Sequence, residues 1–182
     1  MKLLALLRSE VLQSQQIKPL EVRTRIIAMS SIEAKEFVLA GVVMKRLLSG
    51  KQTNGQFCLF ENISGGNTKT PIHVHAEDDE TIYVIEGELT AAVNGKAHRL
   101  TAGQSIFLKR GTPHQLMNMS GRLARYVLID TPALFDRFIE EAGHELREGE
   151  VIGPPTPEEL DRLNAACPKF GITLLPDWSA ED

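Results

Sequence analysis

A chain of 182 residues has room for one well-buried core and some additional elements, and is short for two ordinary domains. Its formal net charge of −4, with no basic helix or Arg-rich run, excludes a general electrostatic attraction to nucleic acid. The two cysteines, Cys58 and Cys167, lie far apart in no zinc or redox spacing, so they read as core thiols of a cytoplasmic protein.

The opening residues Met1 to Leu7 begin like a secretory leader, but Arg8 and Glu10 cut the apolar run short. Leu3, Leu4, Leu7 and Val11 share one face of a short amphipathic helix. That helix is expected to dock on the body of the protein or on a second copy, since it lacks the basic face that membrane binding needs. No segment approaches the ~20 apolar residues of a membrane span.

From about Phe37 the pattern becomes strand-rich. Ile72 to His75 reads as the end of a strand, which puts His73 and His75 on one face and Val74 on the other. Ala76 to Asp79 is a polar turn, and Glu77, Asp78 and Asp79 read as surface acids. Glu80 opens the return strand, Thr81 to Ile85, opposite the two histidines. Glu88 to Val93 and Lys96 to Leu100 flank Asn94-Gly95, the strongest two-residue hairpin signal. After Gln104 to Leu108, the turn Gly111-Thr112-Pro113 leads into His114 to Asn118, where His114, Leu116 and Asn118 share a face. Facing a common interior, His73, His75, Glu80 and His114 form the donor set of one divalent transition metal ion with coordination positions left open. Fe, Mn, Ni, Cu, Co and Zn all suit it, and Glu80 is also placed to act as a catalytic base. His98 and His144 have no partner in the sequence and read as exposed or structural. The Asn118 amide is expected to tie a turn. Phe60, Tyr83, Phe107 and Met117 read as packing residues, one or two of which line the pocket.

Beyond the strands, Thr131-Pro132 introduces a helix to about Gly143, with Leu134, Phe135, Phe138 and Ile139 along one face. A Gly153-Pro154-Pro155 linker precedes a second helix that opens on the capping-box spacing of Thr156 and Glu159. It stops near Gly171, and Ile172 to Leu175 is expected to form a short strand or packed tail. The expected organisation is an extension over 1–36, a β-barrel over 37–131, and helices and tail packing on it over 132–182.

The two histidine stretches resemble the paired motifs of the cupin superfamily. His73, His75, Glu80 and Gly87 match the first, and Gly103, Gly111, His114 and Asn118 match the second, with the fifteen residues between them typical of small single-barrel members. Two positions depart from the pattern. Asn67 stands where a glycine is usual, and Lys109 where a proline is usual; neither is a metal ligand. The resemblance implies an all-β double-stranded β-helix, or jelly-roll barrel, carrying an N-terminal helical extension and C-terminal helices. It extends furthest to monocupins of the quercetin-dioxygenase-like kind. That implies a metal-dependent dioxygenase of a small oxygenated or aromatic, enolizable molecule, with His73, His75, Glu80 and His114 as ligands. The alternatives are a non-catalytic ligand-binding or sensor cupin and a Lewis-acid isomerase or decarboxylase. No helix-turn-helix accompanies the barrel, which argues against a self-contained transcription regulator. A small-molecule partner and a homodimer are expected, with no nucleic acid and no membrane.

Overall fold

The computed structural model describes residues 34–176. The amphipathic helix expected around Leu3 to Val11 lies outside them. Two antiparallel sheets face each other. The first runs in the order β12 (His144–Glu145), β1 (Glu36–Leu39), β2 (Val42–Leu48), β3 (Cys58–Ser64), β11 (Ala124–Thr131), β6 (Asp79–Glu86), β9 (Ser105–Leu108). The second runs β13 (Ile172–Leu175), β5 (Ile72–His75), β10 (His114–Asn118), β7 (Glu88–Val93), β8 (Lys96–Thr101), with the short β4 (Thr68–Lys69) also paired to β10. This is the all-β jelly-roll class expected from the sequence.

Alternation along the strands builds the interior. On β3, Cys58, Phe60, Asn62 and Ser64 point inward, and on β11 Ala124, Tyr126, Leu128 and Asp130 do so. Ile82 and Val84 of β6 meet Leu89 and Ala91 of β7 from the opposite sheet in the same core. The Asn94-Gly95 hairpin has φ of 49° and 79°, the positive pair of a type I′ turn. Asn67 occupies the left-handed region at φ 66°, so asparagine serves where glycine is usual. Gly87 has no substitute, because a Cβ there would lie 2.5 Å from the Leu123 carbonyl oxygen.

The C-terminal segment is woven into both sheets. β12 pairs with β1 and β13 with β5. Ahead of β12, α1 (Phe135–Ala142) buries Phe135, Phe138, Ile139 and Ala142. In α2 (Pro157–Ala166), the Thr156 side chain accepts from the Glu159 N–H, and the Glu159 carboxylate accepts from the Thr156 N–H. Leu163 and Ala166 are its buried contacts. No helix among the described residues is long and apolar enough to cross a membrane.

Candidate metal centre

His73 on β5 and His114 on β10 are register partners in the second sheet. Glu80 lies on β6 in the first, between Leu108 and Asp130 of its neighbouring strands. The centre therefore bridges the two sheets across the barrel interior. One ligand-type atom from each of His73, His75, Glu80 and His114 lies within 4.8 Å of all the others. The imidazole centroids are 4.3 to 5.5 Å apart. Glu80 Oε2 stands 2.8 Å from His114 Nε2 and 3.7 Å from His75 Nε2.

Each imidazole is held by its other nitrogen. His73 Nδ1 lies 2.8 Å from the Pro71 carbonyl oxygen, His114 Nδ1 lies 2.9 Å from that of Thr112, and His75 Nδ1 is bonded to Asp78. Carbonyls and carboxylates only accept, so each Nδ1 carries a hydrogen and donates it outward. That arrangement turns Nε2 of His75 and His114 toward Glu80 at the centre, the nitrogen through which imidazole ligation would run.

The electrostatics agree. Burial drives the His73 imidazole down to about 4, with the neighbouring His114 and His75 adding to the effect against Glu80, so it is neutral at ordinary pH. Burial also disfavours the charged form of His75, but Glu80 and the hydrogen bond to Asp78 outweigh it and raise that group. For Glu80, burial alone would raise the carboxyl, yet His75, the hydrogen bond from His114 and the charge of its neighbours bring it to about 2. An ionised carboxylate among imidazoles in a dry interior is a donor set that suits a divalent transition metal.

The barrel interior beside the cluster holds about 90 Å³ of free space and opens partly to the outside. Its walls are mainly apolar: Leu89, Leu116 and Leu128 come from strands, and Phe135, Phe138 and Leu163 from the two helices. The C-terminal helices thus help to wall the cavity, a contribution that their apolar faces foreshadow.

Several sequence expectations are corrected. Asp78, read as a surface acid, is 2% exposed and holds His75. A turn residue folded back onto its own strand leaves no period to detect. Asp79 instead pairs with Arg110 at the surface, which keeps its carboxyl at about 2. Tyr83 and Phe107, read as packing residues, stand 45% and 60% exposed on the outer face of the first sheet. Phe60 is fully buried. Asp130, unremarked in the sequence, is fully buried beside Asp78 and His75. Counting every second residue from Tyr126 would have placed it inside. Burial, followed by the neighbouring Asp78, pushes its carboxyl far up. Asn118 ties the turns as expected, and His144 is paired with Glu150.

Residues 59–130 match the family described as Cupin domain. The HTH-type transcriptional regulator PuuR of Escherichia coli is 33% identical over 95 residues, covering 52% of this chain and 51% of that protein. The tetracenomycin polyketide synthase protein TcmJ of Streptomyces glaucescens is 37% identical over 99 residues, covering 54% and 58%. Quercetin 2,3-dioxygenase of Bacillus subtilis is 27% identical over 129 residues, covering 69% and 37%. The chain spans about half the length of the first curated relatives it matches.

Proposed function

We propose a metal-dependent dioxygenase acting on a compact, enolizable oxygenated molecule, a reading supported by the match of residues 59–130 to the Cupin domain family. The observation that carries this reading is the position of Glu80, a buried carboxylate with Oε2 2.8 Å from His114 Nε2 and one wall on an apolar cavity. A bound divalent transition metal would supply a Lewis-acidic centre with positions for substrate and dioxygen. His73, His75 and His114 would hold it through Nε2, and Glu80 through its carboxylate. Glu80 is ionised at neutral pH and takes the substrate's acidic proton on a carboxylate oxygen. Leu116, Phe135 and Phe138 keep water from the electron-rich substrate. The free space, about 90 Å³, is below the roughly 150 Å³ of an engineered cavity that admits benzene. A small hydroxyketone or diketone is the class of substrate that this space beside the cluster accommodates most readily.

Elemental analysis of untagged protein beside His75→Ala and His114→Ala, followed by oxygen uptake with small diketones, tests the proposal. Near-stoichiometric Fe, Mn, Ni, Cu or Co in the parent, lost in both variants, with substrate-dependent oxygen consumption, is the expected result. Glu80→Gln with its metal retained and turnover lost separates the base from the ligand. A parent that takes up no metal sinks the reading.

A second reading is a ligand-binding sensor barrel, favoured by the 33% identity to a regulator against 27% to a dioxygenase. It predicts ligand binding without oxygen uptake. A homodimer belongs to the proposal: exposed Tyr83 and Phe107, from paired strands, give the outer sheet face an apolar surface for a second copy. Light scattering on the full chain would read the mass of a dimer.

A further inference from the structure

Behind the imidazoles lies a pair of buried acids that the chemistry above does not use. His75, Asp78 and Asp130 bring ligand-type atoms within 4.8 Å of one another, and all three are buried. Asp78 Oδ2 takes the His75 Nδ1 hydrogen. Asp78 Oδ1 and Asp130 Oδ2 have no hydrogen-bond partner among the described residues. The other oxygen of Asp130 is engaged: Oδ1 accepts from the Phe135 N–H at 3.0 Å and faces Cys58 Sγ at 3.6 Å.

A buried acceptor left without a donor is costly, because it has lost its hydration without a hydrogen bond in return. One hydrogen placed between the two orphans satisfies both. A second cation fits less well, because it would have to displace the hydrogen by which His75 Nδ1 is bonded to Asp78.

We propose that Asp78 and Asp130 are positioning residues for His75: Asp130 Oδ2–H donates to Asp78 Oδ1, and Asp78 Oδ2 accepts the His75 Nδ1–H. The proposal rests on His75 being a metal ligand. His73 and His114 are held by neutral backbone carbonyls, whereas His75 is held by a carboxylate, the stronger, charge-assisted partner. Such a partner fixes the tautomer, aims Nε2 at the centre and strengthens its donation to metal. The chain of hydrogen bonds continues to the Phe135 N–H at the start of α1, whose Phe135 ring lies 6.3 Å from the His75 ring. The aim of one ligand is thereby tied to the helix that walls the cavity.

Two measurements on the full chain test this. In chelator-treated, 15N-labelled protein at mildly alkaline pH, long-range nitrogen–proton correlations are expected to show His75 with hydrogen on Nδ1 and a bare Nε2. Hydrogen on Nε2 instead overturns the proposal. In titrations with Co2+ alone, Asp78→Ala and Asp130→Ala are expected to bind ~10–100-fold more weakly than the parent. Asp130→Asn, whose amide still donates to Asp78 and accepts from Phe135, is expected to bind close to the parent and to keep the Nδ1 tautomer. Unchanged affinity in Asp78→Ala, or Asp130→Asn as weak as Asp130→Ala, overturns the proposal. A parent that shows the Nδ1 tautomer yet takes up no Co2+ supports the hydrogen-bond chain and sinks the metal reading alone.

Discussion

Asn118→Ala removes the side chain that ties together two turns beside the barrel. The Asn118 Nδ2 donates toward Ser64 O at 3.1 Å, Gly65 O at 3.0 Å and Arg122 O at 2.7 Å. Its Oδ1 accepts from the Ser120 N–H at 3.2 Å and the Ser120 hydroxyl at 2.7 Å. The residue is 1% exposed. Ser120 sits in an exposed turn and can turn to water, so those two bonds contribute little net. The three carbonyls are different. Ser64 O is buried and loses its side-chain partner at about 1–2 kcal/mol, and the two part-buried carbonyls, which share the remaining hydrogen, add about 1 kcal/mol together, giving about 2–3 kcal/mol in all. Equilibrium urea unfolding of parent and variant, with unchanged m, measures the difference. Asn118→Asp should cost at least as much, since it sets a carboxylate against three carbonyl oxygens. A loss below about 1 kcal/mol in Asn118→Ala would refute the reasoning, because it would mean that these carbonyls are already hydrated.

Three further outcomes are expected. In metal-free protein, His73 is neutral with a folded value of about 4 against 6.5 for the free group. The unfolded chain therefore takes up the proton first, so stability falls as pH drops from 6.5 toward 4, by up to about 3 kcal/mol from this group. His73→Gln should remove that share of the slope in urea unfolding across the same range; an identical slope would contradict it. Thr156→Ala breaks the capping box of α2 and should lower stability by about 1 kcal/mol, a fall in melting temperature of about 2–4 °C by calorimetry. Cys58 and Cys167 are buried free thiols, and burial raises both, Cys167 to about 11. Neither should react with a thiol reagent until the protein is denatured, and rapid native labelling would count against that burial.

The strands from Ile72 to Asn118 and the hairpin at Asn94-Gly95 were legible in local pattern, and the cupin resemblance added the four residues of the candidate metal centre. Those features are written in short-range regularities: a period of two fixes which side chains share a face, and a turn fixes which strands pair. They set His73 and His75 on one face with Glu80 opposite, and the cupin resemblance joined His114 to the same set. What stands behind those residues is set by contacts between elements far apart in the chain. Asp78 is buried because its turn folds back against His75, whereas Asp130 follows the inward alternation of β11 and only its meeting with Asp78 comes from the fold. Tyr83 and Phe107 came out exposed because their strands present that side outward, although aromatic character alone favours packing. The cavity is walled by α1 and α2, and its size follows from how two helices distant in sequence seat on the barrel. Local pattern encodes direction along an element, whereas burial and charge environment arise from contacts between elements far apart in the chain, which a single sequence does not spell out.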